Sequence, residues 1–414
     1  MVAELISVGT ELLMGQILNT NVQYLARKMQ EFGVDVYHQS VVGDNLARLV
    51  EAIETACRRS DLLILSGGLG PTEDDLTKEA VAKYLNRPMV RHQPSADAIA
   101  AYFARTGREV TPNNFRQADF PEGAEILPNS CGTAPGCICF DGKCHIVVLP
   151  GPPHELKAMF ESGVAPFLMR RMEKRICSRI VRIFGMGESH VAHALKDLIE
   201  NQTNPTIAPY AALSEVTLRV TASCPLQEDG YALVDPVVEA IRERLGDCVY
   251  STDDESMPQV CVRLLKEAKK TVAVAESLTG GLVASELVSV PGASEVLLEG
   301  VVAYSVAAKR RLGVSEETIA RHGTVSARTA TEMARFVRLR TGADYGIATT
   351  GVAGPGPDEN GVPAGTAYVG ISAEGLERGF LVKASGFRNR VRTSVMLHAL
   401  DALRRAILHL PLPD

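Results

Sequence analysis

The sequence predicts an α/β protein in three parts: a parallel-sheet domain (1–172), a small α+β domain (173–252) and a second α/β domain (257–414). Three observations carry this. Short apolar runs alternate with helix-length amphipathic stretches at both ends of the chain, and the middle holds a strictly alternating segment. A chain of 414 residues is also too long for one ordinary core.

In the first part, Glu4–Val8 reads as a strand, and the following helix repeats Val22, Leu25, Met29 and Phe32 at helical spacing. Val34–Val42 is a second strand and Leu46–Cys57 a second helix. Asp61–Leu65 is nearly all apolar, as a strand covered on both faces should be. Asp75–Leu85 is helical, and Ile146–Leu149 supplies a further buried strand. This alternation implies a parallel sheet, whose ligands bind at the carboxyl ends of the strands.

Polar motifs fall at those ends: Gly9-Thr10-Glu11, Gly43-Asp44-Asn45, Gly67-Gly68-Leu69-Gly70-Pro71-Thr72-Glu73-Asp74-Asp75 and Gly132-Thr133-Ala134-Pro135-Gly136. Glycines let a backbone approach a ligand, and helix-start N–H groups suit phosphate oxygens. Carboxylates there would repel phosphate unless a divalent cation bridges them. A phosphorylated ligand with a metal is therefore expected, although a lone Asp-Asp at a helix start also suits the helix dipole.

In the middle part, Ile180–Phe184 is a strand, Ser189–Ile199 a helix and Thr206–Tyr210 a strand. Val216, Leu218, Val220 and Ala222 alternate against Thr217, Arg219 and Thr221; Val234–Leu245 is helical and Cys248–Tyr250 a strand. The order β-α-β-β-α-β suggests a small sandwich. Gly185-Met186-Gly187-Glu188 is one residue short of an RNA-clamping Gly-x-x-Gly and ends on an acid, so nucleic acid is not expected. The polar run Ser251–Ser256 reads as a linker.

In the third part, helices are expected over Val260–Ala268, Leu282–Val288, Ala327–Leu339 and Val391–Ile407. Strands are expected over Val272–Ala275, Val301–Tyr304, Tyr345–Thr349, Ala367–Ile371 and Phe380–Val382. Ala275-Glu276-Ser277-Leu278-Thr279-Gly280-Gly281 then lies at a strand-to-helix turn. A nucleophile or an oxyanion donor belongs there, and so does an ordinary helix cap. The glycine- and proline-rich loop Gly351–Pro357 follows a strand end and reads as a ligand rim.

Composition narrows the class. The chain is 46% hydrophobic and 22% charged with net charge −6, which fits a soluble globular protein without a basic field for nucleic acid. Glu4 and Glu11 interrupt any secretory signal, and no apolar run reaches membrane length, so a cytoplasmic protein without a membrane partner is expected. Cys131, Cys137, Cys139 and Cys144, with His145, lack paired C-x-x-C turns, and His190 with His193 lacks a third ligand. Zinc is not expected at either place.

Together the motifs resemble the CinA family over essentially the whole chain. They include Gly9-Thr10-Glu11-Leu12-Leu13, Asn19-Thr20-Asn21, the Gly67–Thr77 run, Gly132–Gly136, Glu276–Gly281, Tyr304 with Lys309, and Thr350–Pro355. The resemblance implies a molybdopterin-binding-like first domain of the MoaB/MogA type with metal-dependent ADP-ribose pyrophosphatase activity. It also implies a KH-type connecting domain, a C-terminal nicotinamide-nucleotide amidase and a homodimer. Carried onto this chain, Ser277 is the nucleophile, Lys309 its base and Tyr304 the group orienting both. Thr279, Gly280 and Gly281 serve oxyanion or substrate; Thr350, Gly351, Gly354, Arg388 and, peripherally, His322 contact the rest of nicotinamide mononucleotide. Glu11, Asp44, Asp74 and Asp75 would hold the metal, and Gly67, Gly68, Gly70 and Thr133 would face phosphate. Phe387 stands where the family usually has aspartate. Alternatives are a noncatalytic nucleotide-sensing or competence-associated partner and a molybdopterin-handling protein.

Overall fold

The computed structural model describes residues 1–172, 174–212 and 215–413. The chain forms two compact units, Met1–Cys177 with Ser223–Gly230, and Ser178–Ala222 with Tyr231–Asp414. No helix among the described residues is long and apolar enough to cross a membrane.

The first unit contains β1 (Val2–Val8), β2 (Asp35–Val42), β3 (Leu62–Ser66), β4 (Met89–Arg91), β5 (Asp119–Pro121), β6 (Glu125–Leu127), β7 (Gly136–Phe140) and β8 (His145–Leu149). Its main sheet runs β2-β1-β3-β8-β7-β6. The pairs β1–β2, β1–β3 and β3–β8 are parallel, as the alternating pattern predicts. Leu62 and Ile64 enter one core with Leu25, Met29 and Phe160. Leu63 and Leu65 enter the opposite core with Leu49, Ile53 and Val81. A strand packed by helices on both faces needs apolar residues at every position, which is why this run does not alternate.

The far edge departs from the all-parallel expectation, for β6–β7 and β7–β8 are antiparallel. The connection from β7 to β8 is too short to cross over a sheet face and can only close a hairpin. Asp141 fixes that turn by accepting from the amides of Lys143 at 2.7 Å and Cys144 at 2.6 Å. Cys137 and Cys139 are buried on β7, and all nine cysteines are free thiols. The helix Gln93–Thr106 and the small pair β4–β5 lie outside the sequence expectation.

Register brings the carboxyl ends of β1, β3 and β8 level, since Ser7 faces Ser66 and Ser66 faces Leu149. Gly67 sits where a Cβ would lie 2.2 Å from the Val8 carbonyl oxygen, so only glycine lets these ends close together.

In the middle segment, β9 (Lys174–Phe184), β10 (Thr206–Ala212), β11 (Glu215–Pro225) and β12 (Val249–Ser251) pair in the order β10-β11-β9-β12. Two helices, Glu188–Ala194 and Lys196–Glu200, replace the single one expected, with Leu195 between them. The polar run after β12 is an anchored strap. Asp253 pairs with Arg179 at 2.7 Å and Asp254 with Arg182 at 2.6 Å.

The last sheet holds β13 (Val272–Glu276), β14 (Leu297–Val302), β15 (Tyr345–Gly351), β16 (Thr366–Ala373) and β17 (Leu376–Lys383), in the order β14-β13-β15-β16-β17. The first three are parallel and the last two antiparallel. The helix Arg388–Ile407 covers one face, burying Val395, Leu400 and Leu403 in a core that also takes in Phe184 and Tyr250.

Candidate functional site

β13 is buried along its whole length, and the chain turns sharply where it ends. Ser277 is the first residue beyond it. Its amide donates to the Thr349 carbonyl at 2.9 Å, which fixes the turn against the neighbouring β15. The helix Val306–Leu312, which the sequence reading lacks, brings Lys309 to this point. Ser305 caps that helix by accepting from the Ala308 amide at 3.1 Å.

Lys309 is only 2% exposed. Its Nζ lies 2.9 Å from Ser277 Oγ, 2.9 Å from the Ala303 carbonyl oxygen and 3.2 Å from that of Tyr304. Burial pushes the ammonium down to about 8, and no carboxylate opposes the shift. Geometry adds direction to this. A neutral amine has two N–H bonds and one lone pair. If the two carbonyls take the N–H bonds, the lone pair is left for the Ser277 hydroxyl. The arrangement suits a base that removes the serine proton.

A cavity of about 560 Å³ opens over this pair, lined by Ser277, Leu278, Tyr304, Thr350, Arg388 and the loop Gly351–Glu359. Arg388 donates to the Gly354 carbonyl at 2.7 Å and to the Tyr304 hydroxyl at 3.2 Å, joining opposite rims. Tyr304 therefore touches Lys309 through its backbone carbonyl, while its phenol faces Arg388. Thr350 lines the wall with its hydroxyl donated to the Thr324 carbonyl at 2.6 Å. Gly351 packs against β16, where a Cβ would lie 2.6 Å from Ala367. Exposed His322, at the end of the helix Glu316–His322, does not line the cavity.

The expected oxyanion donors need correction. Glu276, 1% exposed, accepts from the amides of Gly281 at 2.9 Å, Val283 at 3.1 Å and Ala284 at 2.9 Å. The helix start beside the serine is thus already occupied by a buried carboxylate. The Gly280 amide donates to the Ser277 carbonyl at 3.1 Å. Thr279 is fully buried with its hydroxyl 2.6 Å from that of Thr349, and its carbonyl accepts from Arg392 at 2.7 Å. These three residues build the turn and do not line the cavity. Among the described residues the Leu278 amide has no hydrogen-bond partner, and Leu278 does line the cavity. A free amide directly after a nucleophile is the donor that strand-to-helix serine turns use. Glu276 was visible in the motif, but its capping role depends on a side-chain direction that sequence does not show.

In the first unit the expected metal ligands are scattered in purpose. Asp44 accepts from the Thr10 amide at 2.9 Å and the Thr10 hydroxyl at 2.8 Å. Asp75 accepts from the Thr72 amide at 3.0 Å. Glu11 folds against Gly9, where a Cβ would meet its carboxylate, and Asp74 is exposed. Among the described residues no three His, Cys, Asp or Glu side chains gather to hold a metal ion, so these four do not form a protein cage for a cation. Gly68, at φ +65, lies against the Thr77 hydroxyl, and Gly70 against Asp75; both shape the loop. Thr133, of the expected phosphate contacts, lines a cavity of about 1050 Å³. His190 and His193 are exposed on a short helix.

Fold and site define a multidomain α/β protein with a buried serine–lysine pair at a strand end. Family models match along the chain: the "Probable molybdopterin binding domain" over residues 4–170, the "Damage-inducible protein CinA KH domain" over 178–251 and the "CinA C-terminal domain" over 254–407. A CinA-like protein from Kosmotoga olearia is 47% identical over 99% of this chain and all of its own length. The chain belongs to the CinA family. The crystal structure of a CinA protein of unknown function from Thermoplasma acidophilum is 34% identical, covering 40% of this chain and 96% of that one, with a TM-score of 0.37. A CinA superfamily protein from Klebsiella pneumoniae is 31% identical over 37% of this chain and 99% of its own, with a TM-score of 0.36.

Proposed function

We propose that the C-terminal site is an amidase that hydrolyses nicotinamide mononucleotide to nicotinate mononucleotide and ammonia. The observation that carries this is the 2.9 Å contact between Ser277 Oγ and a buried Lys309 that no carboxylate neutralises. Ser277 Oγ attacks the carboxamide carbon as its proton passes to Lys309 Nζ. The carbonyl oxygen takes up the negative charge beside the Leu278 amide. Lys309 returns the proton to the amide nitrogen as the C–N bond breaks, releasing ammonia and leaving an ester on Ser277. Water, deprotonated by Lys309, then cleaves the ester to the carboxylate and restores both residues. Arg388 stands at the mouth for the anionic end of the substrate. In the test, purified chain is given nicotinamide mononucleotide and ammonia is measured. Ser277→Ala and Lys309→Ala should each nearly abolish release, and near-normal release by a folded Ser277→Ala protein would refute the mechanism.

The level strand ends of the first unit support a second reading, cleavage of ADP-ribose to AMP and ribose 5-phosphate. Loss of that hydrolysis on adding a chelator would support the divalent cation that the family resemblance implies. A cytoplasmic homodimer with no nucleic-acid or membrane partner completes the proposal.

A further inference from the structure

The cavity over Ser277 carries charges that the amide chemistry does not use. Its ionic lining groups are Lys309, Arg388, Asp358 and Glu359. Lys309 must be neutral to act as a base, which leaves one cation against two carboxylates. Asp358 is committed to its own loop, accepting from the amides of Asn360 at 3.0 Å and Val362 at 2.8 Å. These bonds tie off a short turn that carries Glu359. The Glu359 side chain is exposed and has no hydrogen bond or ion pair among the described residues.

An uncommitted carboxylate is out of place beside a substrate that ends in a phosphate, because like charges in one cavity repel. It is in place if the reacting end of the substrate is cationic. The oxidised nicotinamide ring is such an end, for its nitrogen carries a full positive charge in the ring that bears the carboxamide. With the carboxamide carbon at Ser277 Oγ, that nitrogen stands farther from Lys309 than the reacting carbon does. The titration of Lys309 is shifted by burial alone, so neither carboxylate acts on the base. Both nonetheless line the same cavity, where a ring cation standing farther out meets their field. Tyr304, 60% exposed, presents an aromatic face in that lining, and such a face also attracts cations. Arg388, held by Gly354 and the Tyr304 hydroxyl, is the separate positive pole for the phosphate.

We propose that Glu359 selects the oxidised, cationic nicotinamide ring, so that the reduced mononucleotide, whose dihydropyridine ring is neutral, is bound less tightly. This rests on the amidase reading and adds to it the charge state of the substrate. Glu359 is a specificity residue: it touches no reacting atom and acts through the field in the cavity. The ring charge is present in the bound substrate and in the transition state alike. Removing the carboxylate therefore raises KM and leaves kcat close to its starting value.

The test measures ammonia release by the full chain from nicotinamide mononucleotide, with the reduced mononucleotide added as a competing ligand. Reading the reduced form through its inhibition constant keeps the different reactivity of the two amides out of the comparison. Glu359→Gln should raise KM for the oxidised substrate about fivefold and change the inhibition constant of the reduced form less than twofold. Glu359→Asp, which keeps the charge, should stay within about twofold of the unaltered KM. At about 1 M salt, where the screening length is about 3 Å, the unaltered chain should lose most of its advantage over Glu359→Gln. Glu359 is exposed, and unchanged thermal unfolding would confirm that the fold is intact. Equal weakening of both ligands in Glu359→Gln, a fall in KM for the oxidised one, or equally tight binding of both by the unaltered chain would overturn the proposal and leave the amidase reading in place. Absence of ammonia release from nicotinamide mononucleotide by the unaltered chain would instead remove the amidase reading, and this proposal with it.

Discussion

The protonation state of Lys309 sets a sharp condition on the amidase reading. A lysine that titrates at about 8 is neutral roughly one time in ten at pH 7. An ordinary lysine, at about 10.4, is neutral only about 0.04% of the time. Burial therefore raises the supply of free base about 200-fold, equivalent to about 3 kcal/mol. Below pH 8, kcat/KM for ammonia release should climb close to tenfold per pH unit, then level off near pH 9. Initial rates between pH 5.5 and 9.5 at substrate well below KM would trace this limb. No histidine lines the cavity, so a limb centred near 6.5 would mean another base and would refute the argument. A flat profile from pH 6 to 9 would do so equally.

Two further outcomes follow from the same geometry. Lys309→Met should stabilise the protein at pH 7 by about 1–2 kcal/mol, after allowing for two carbonyls left unpaired. The folded-state value lies below the unfolded one, so the cost of burying Lys309 is full below pH 8 and disappears as pH rises towards the unfolded value. Thermal unfolding should accordingly show the gain at pH 7 and lose it near pH 10.5, and no gain at pH 7 would count against a strained lysine. Glu276→Gln should cost about 2–3 kcal/mol and lower kcat more than it changes KM, because its amide group would face an N–H of the helix start. An unaltered melting temperature would show that the carboxylate is dispensable.

What sequence revealed and what it hid divides along physical lines. β3 and β13 were legible because strands covered on both faces must be apolar throughout. Ser277 and Lys309 stood out through motif resemblance, yet their contact depends on a short helix whose seven residues carry little periodicity. The antiparallel edge of the first sheet was signalled only by the brevity of the turn after Phe140. The helix Gln93–Thr106 had its own markers, Pro94 at the start and left-handed Gly107 at the end, but its alanines gave a weak apolar stripe. The oxyanion assignment failed because spacing locates a helix start without showing what already occupies it. Glu276 lies in the strand that precedes the helix and folds back over the turn.

The strap after β12 has a practical corollary for how this protein can be dissected. Matching family models place a border between residues 251 and 254, but the physical joint is elsewhere. Phe184 packs its ring 4.9 Å from that of His398, and buried Arg404 donates to the Asp247 carbonyl at 2.8 Å. A fragment beginning at residue 257 would strip a ring and an acceptor from the closing helix, exposing a guanidinium that is 2% accessible in the intact chain. Here the unit of inheritance and the unit of folding do not coincide. A transplanted C-terminal module would have to carry its neighbour's Phe184 and Tyr250 with it.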